Sequence, residues 1–275
     1  MKTFSKSRVF VFVFGGEMAQ QLTKEDLYLI YTKNIRYANF KLEAIRLQTR
    51  QLAGEYCWCI SKNKECQIKK NLKDELKALT NLYAYILGTR FELQLMKILH
   101  ENSTVAFSDS ELQTIKGKNT TYEKWCECLK ISFRKSTNID WRDVNGNNLL
   151  ELFRDNNSYL KDFQDFITMR NRLAHGQWST QLNSQGTKES TPDALNKYDD
   201  ISKLVLLSKK LDTMVKIVET IVVYKEKNNE KFKNKISNLI KENKIIDCRI
   251  KNSTLEKYVQ LEINKFDKKK SQNGS

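Results

Sequence analysis

Arg170, Asn171 and His175 fall within the run Arg170-Asn171-Arg172-Leu173-Ala174-His175, which offers a permanent cation, an amide and an imidazole from one stretch of chain. A guanidinium binds phosphate or carboxylate through a two-pronged fork, and an imidazole exchanges protons near neutrality. Residues of these types, held together, suit proton transfer at a phosphate ester. The segment reads as the end of a helix. On a wheel of about 100° per residue, Arg170 falls among Leu160, Phe163, Ile167 and Ala174, in the middle of an apolar face. An unpaired charge there costs several kcal/mol, by order of magnitude, so Arg170 needs a partner or a task. Asn171 and His175 stand one turn apart on the flank of that face.

A second charge breaks a second face. Between Leu82 and Leu99 the apolar residues Tyr85, Ile86, Leu93 and Met96 form a stripe, and Glu92 lies inside it. Two opposite charges on two apolar faces predict that Glu92 meets Arg170 where the helices pack, with Gly88 permitting close approach. Such a pair serves equally well to fix helix register or to position a reacting guanidinium.

Other chemistries find no footing. The chain has two histidines, His100 and His175, and lacks His-x-x-x-His, a Gly-rich phosphate loop and a Gly-x-Ser-x-Gly elbow. Zinc hydrolases, P-loop NTPases and serine hydrolases are therefore set aside. Six cysteines include the pairs Cys57/Cys59 and Cys126/Cys128, with Cys66 and Cys248 apart from them. Both pairs fall in or beside helical stretches, where i and i+2 diverge by about 200°, so reduced thiols are expected and no metal site. His100 reads as a solvated residue at a helix C-terminus, favoured by the helix dipole.

The elements that must carry these residues are helices. One proline and nine glycines occur in 275 residues, and apolar residues recur at three- and four-residue spacing. Thr23 with Asp26, Ser108 with Glu111 and Thr120 with Glu123 mark three helix starts by the capping-box pattern. Leu27, Ile30, Tyr31, Ala38, Leu42, Ile45 and Leu52 extend a first long helix. A connection is expected over 57–70, then the helix bearing Glu92. The third start opens a helix with Trp125 and Leu129. After a turn at Asn145-Gly146, Leu149 to Phe153 and Leu160 to Ala174 resume the pattern, and Gly176 ends it. Residues 177–192, with Gly186 and Pro192, predict a loop. Ile201, Leu204, Leu211, Val215, Val218 and Val222 then lie at near-heptad spacing, which calls for a partner helix from the same chain or a second copy. Residues 245–266 suit either strand or helix.

The formal charge is +15, which attracts polyanions unless it only solubilises the surface. Lys225 to Lys270 holds fourteen Lys or Arg against seven Asp or Glu, a net of +7. That stretch is either an arm that tracks RNA or a solvated helix with a loose end. Arg172, Lys225, Lys227 and Lys231 are the candidate RNA contacts. The apolar run Val9 to Phe14 is too short for a signal-peptide core or a membrane span, so residues 1–20 read as an appendage, with a docked edge strand as the alternative. The expected division is an appendage over 1–20, a helical domain over 21–228 and a basic C-terminal extension over 229–275, in the cytoplasm and away from membranes.

Arg170-Asn171-x-x-x-His175, followed by Gly176, resembles the R-x4-6-H signature of HEPN domains, in which Asn commonly follows the Arg. Members carry an acidic or polar residue on an upstream helix, which Glu92 in Leu87-Gly88-Thr89-Arg90-Phe91-Glu92 is similar to. The resemblance implies an all-α, up-and-down bundle of HEPN type, with the basic C-terminal segment added. It implies a metal-independent endoribonuclease without cofactor. His175 would serve as general acid or base, Arg170 would hold the phosphate, Asn171 would orient them and Glu92 would position Arg170. It further implies a homodimer with a composite site built from two motifs, and a toxin or antiviral-defence setting in which an antitoxin or a defence complex is a further partner. A non-catalytic RNA-binding or dimerising scaffold on the same bundle is the alternative. In one toxin branch, a tyrosine two residues after the His is modified by a nucleotidyltransferase antitoxin; here that residue is Gln177, which excludes control of that kind.

Overall fold

The computed structural model describes residues 22–61, 67–101, 107–137, 157–175, 200–223, 230–255 and 257–260. Every regular element among them is a helix: α1 (Lys24–Ser61), α2 (Gln67–Leu99), α3 (Asp109–Lys116), α4 (Thr121–Thr137), α5 (Asn157–Ala174), α6 (Ile201–Val223) and α7 (Glu230–Asn252). None is long and apolar enough to cross a membrane. The appendage over 1–20, the helix expected at Leu149 to Phe153, the loop over 177–192 and the tail beyond Gln260 lie outside the described residues.

Three helices start where side chains satisfy their first amides. Asp26 accepts from the Thr23 amide at 2.9 Å while the Thr23 hydroxyl accepts from the Asp26 amide at 3.1 Å. Ser108 and Glu111 form the same reciprocal box ahead of α3. Thr120 and Glu123 repeat it ahead of α4. Each box closes two of the four amide donors that a helix start leaves open. The connection expected over 57–70 is shorter than the sequence suggests, because α1 runs on to Ser61 and α2 begins at Gln67. No proline or glycine between Glu55 and Tyr83 stops either helix.

α1 and α2 lie side by side and antiparallel. Lys24, at the start of α1, donates to the Phe107 carbonyl beyond the end of α2, and the Tyr31 ring stacks on His100 at 5.4 Å. Here an expectation fails. His100 is buried, its Nδ1–H donating to the Met96 carbonyl at 2.6 Å and its Nε2 lying 3.2 Å from Lys116 Nζ. Burial, with the cations of Lys116 and Lys24, holds its pKa below the ordinary imidazole range against the bond to Met96. The ring is a neutral packing element rather than a solvated cation, because α1 and α3 cover the end of α2.

α6 is the centre of the core. Leu204, Leu211, Val218 and Ile221 are each at most 1% exposed, and α2, α4 and α7 all pack against it. The near-heptad stripe thus finds its partners within the chain. Two cations are buried with it. Lys210, 1% exposed, donates to Asp247 of α7 at 2.5 Å, and Arg90 of α2 pairs with Asp212 and donates to Ser208 at 3.0 Å. The basic segment is built into the same body: Phe232, Ile236 and Ile240 of α7 belong to the core that includes α2 and α6. Over the described part of 245–266 the helical alternative holds, through Asn252 and again at 257–260. Every intra-core leucine of this kind contributes roughly 1.5–3 kcal/mol relative to exposure.

Candidate active site

α2 and α5 cross where Gly88 faces Arg170. A methyl group built on Gly88 would overlap the Cβ and Cγ of Arg170, so the arginine stem fills the space that any other residue would occupy. α5 is anchored beneath by Phe166, Ile167, Met169 and Leu173, all buried. Of the face read from the sequence, Ile167 is buried and Ala174 is exposed, so the buried stripe is turned toward Met169 and Leu173; Arg170 leaves it with its side chain 19% exposed.

The guanidinium is held at both ends. Nη2 donates to Glu92 Oε2 at 2.6 Å and Nη1 to Asn171 Oδ1 at 3.0 Å. Its central carbon lies 5.8 Å from the Tyr85 ring centroid, a cation–π distance. Glu92 is fixed in turn, because its other oxygen accepts from the Thr121 hydroxyl at 2.9 Å. Thr121 opens α4, so the cap at Thr120 also sets a second ligand of the carboxylate. Nε of Arg170 is buried and makes no hydrogen bond among the described residues. That leaves three of its five N–H donors without a partner among the described residues, the buried Nε–H and one on each Nη.

Asn171 and His175 are exposed. His175 follows the last helical residue, its amide bonded to the carbonyls of Asn171 and Arg172 at 3.1 Å each. No family model, curated protein or solved structure matches this chain. The site is thus read from its own geometry.

The ion pair inferred between Glu92 and Arg170 is present, with Gly88 at the crossing as expected. Asn171 joins it. His175 shares the helix end, and no bond joins its imidazole to the pair. Arg172 is half-buried on the same turn and Lys231 is exposed on α7, a helix that packs against α6; Lys225 and Lys227 lie outside the described residues. Tyr85 and Thr121 were missed. Tyr85 is one turn before Gly88 and two before Glu92, a spacing that could have flagged it; Thr121 left no signal, since only the packing of α4 brings it to Glu92.

Burial pushes the Cys128 thiol up to about 12 and raises that of Cys126, so neither offers a thiolate at neutral pH. Among the described residues no group of three His, Cys, Asp or Glu is placed to hold a metal ion.

Proposed function

We propose that the protein is a metal-independent endoribonuclease of the HEPN type, acting through Arg170, Asn171 and His175. The observation that carries this reading is the clamped guanidinium: Glu92 and Asn171 orient Arg170 at the α2–α5 crossing, and an exposed imidazole follows five residues on at the end of the same helix. A ribose 2'-hydroxyl attacks its adjacent phosphorus as the bond to the 5'-oxygen breaks, giving a 2',3'-cyclic phosphate and a 5'-hydroxyl. One proton must leave the 2'-oxygen and one must reach the departing 5'-oxygen. A single imidazole performs one of these at a time, which gives a second copy of the motif its place in a composite cleft. Arg170 meets the charge on the phosphorane with the free N–H on each Nη. Glu92 and Thr121 act through Arg170 and are positioning residues. The setting that goes with this reading is growth arrest or antiviral defence, with RNA as substrate.

The test is cleavage of mixed cellular RNA with excess EDTA present. Arg170→Ala and His175→Ala should each lower the rate by about 100-fold or more, and RNA ends should carry cyclic phosphate. One observation favours the second reading, a non-cutting RNA-binding scaffold: Arg170 already has two partners and is 19% exposed, as a register-fixing pair would be. Tight RNA binding by protein that leaves every RNA intact would establish that reading instead.

A further inference from the structure

α1 has two apolar faces. One, with Ala38, Leu42 and Ile45, is buried where α1 packs on α2. The other is bare: Phe40 is 74% exposed, Tyr37 59%, Leu29 58%, Leu47 46% and Ile30 41%. Of the eight large apolar side chains exposed among the described residues, these five stand on this helix, which makes a patch rather than the usual scatter. Ile30, Lys33, Tyr37, Phe40, Ala44 and Leu47 step along it at alternating intervals of three and four, the spacing of a coiled-coil seam.

We propose that this seam binds the same seam of a second copy, with the two α1 helices antiparallel. In that arrangement first heptad positions meet fourth ones. Tyr37 then faces Phe40 of the second copy, Ile30 faces Leu47, and the long Lys33 side chain lies over the small Ala44. The flanking charges choose the direction. Arg36 and Glu43 occupy the same edge of the seam and both are exposed. Antiparallel pairing sets Arg36 beside Glu43 of the second copy, and symmetry makes this contact twice. Parallel pairing would set Arg36 beside Lys41, a repulsion. Arg36 makes no ion pair among the described residues, while Glu43 holds Arg46 of its own chain at 2.7 Å and is 55% exposed. From Ile30 to Leu47 the seam runs about 26 Å, or about two and a half heptads. The proposal uses none of the residues of the nuclease reading: it concerns the free chain, and a composite cleft would be a second contact between copies, made at the α5 ends on RNA.

The mass of the full chain in solution, by light scattering across the micromolar range, tests it. Wild type should show twice the chain mass of 32.3 kDa. Phe40→Glu/Leu47→Glu should show the chain mass with unchanged helical circular dichroism, because both side chains are exposed. Arg36→Glu and Glu43→Arg should each weaken the dimer about tenfold, and mixing the two should restore it, since each repairs the other. A monomeric wild type, a dimer that the double glutamate variant leaves intact, or a mixture no tighter than its components would overturn the proposal.

Discussion

Lys210 and Arg170 both sit between helices, and they differ in what surrounds them. Lys210 is 1% exposed and tied to Asp247; Arg170 is 19% exposed, tied to Glu92 and Asn171, and shares its helix end with the exposed His175. Lys210 is closed in among the helices, and its pair holds α6 and α7 in register. Arg170 has the same kind of partner but keeps a free N–H on each Nη and an open side. A charge on an apolar face therefore signals packing or chemistry according to what stands at the rim, and the rim is where the imidazole and amide are found.

Substitutions can break this contrast. The largest effect is expected at the rim: His175→Ala should abolish detectable cleavage, a loss of about 100-fold or more, while its Tm stays within about a degree, because the side chain is exposed. Lys210→Ala should do the reverse. Removing one partner of a buried pair costs about 3–5 kcal/mol, so denaturant unfolding should shift strongly while the folded fraction cuts RNA at the wild-type rate. The double change Lys210→Met/Asp247→Leu should recover most of that stability; a double variant as weak as the single one would mean that the lysine does more than pair.

Smaller effects sharpen the boundary. Gly88→Ala replaces a poor helix former with the best one, a gain of about 1 kcal/mol, yet its methyl group meets the Arg170 stem. Overpacking of this kind costs about 1–3 kcal/mol, so a modest net loss of stability is expected together with a drop in cleavage as Arg170 is displaced. A stabilised, fully active Gly88→Ala would show that the crossing relaxes at no cost. The smallest change concerns pH. His100 has a depressed pKa in the folded chain and titrates near 6.5 when unfolded. The unfolded chain thus takes up a proton that the folded one refuses. The stability His100 provides is complete above about pH 6.5 and is lost as pH falls toward its lower folded pKa. Tm should decline on this account over that window, and less steeply in His100→Gln.

The local signals in the sequence proved reliable where neighbours decide the outcome. Capping boxes bind residues three apart, so Thr23, Ser108 and Thr120 announced their helices. The Arg170–Glu92 pair was also legible, since each charge interrupts an otherwise apolar stripe and only the other could neutralise it. Lys210 escaped notice because α6 is covered from several sides, and next to the exposed Lys209 it looks like one more solvated lysine. His100 was misjudged for a related reason: a histidine at a helix end reads as solvated until α1 and α3 are known to close over it. Arg90, two residues from Glu92, pairs with Asp212 far along the chain, a match that spacing does not encode.

α7 has a consequence for anyone who would trim this protein. Its charges face outward and invite removal as a floppy tail, yet Phe232, Ile236 and Ile240 form one wall of the interior, and Asp247 is the counterion of Lys210. A product ending before Glu230 would bare a greasy side of α6 and strand an ammonium inside it, and would be expected to precipitate rather than survive as a smaller soluble body.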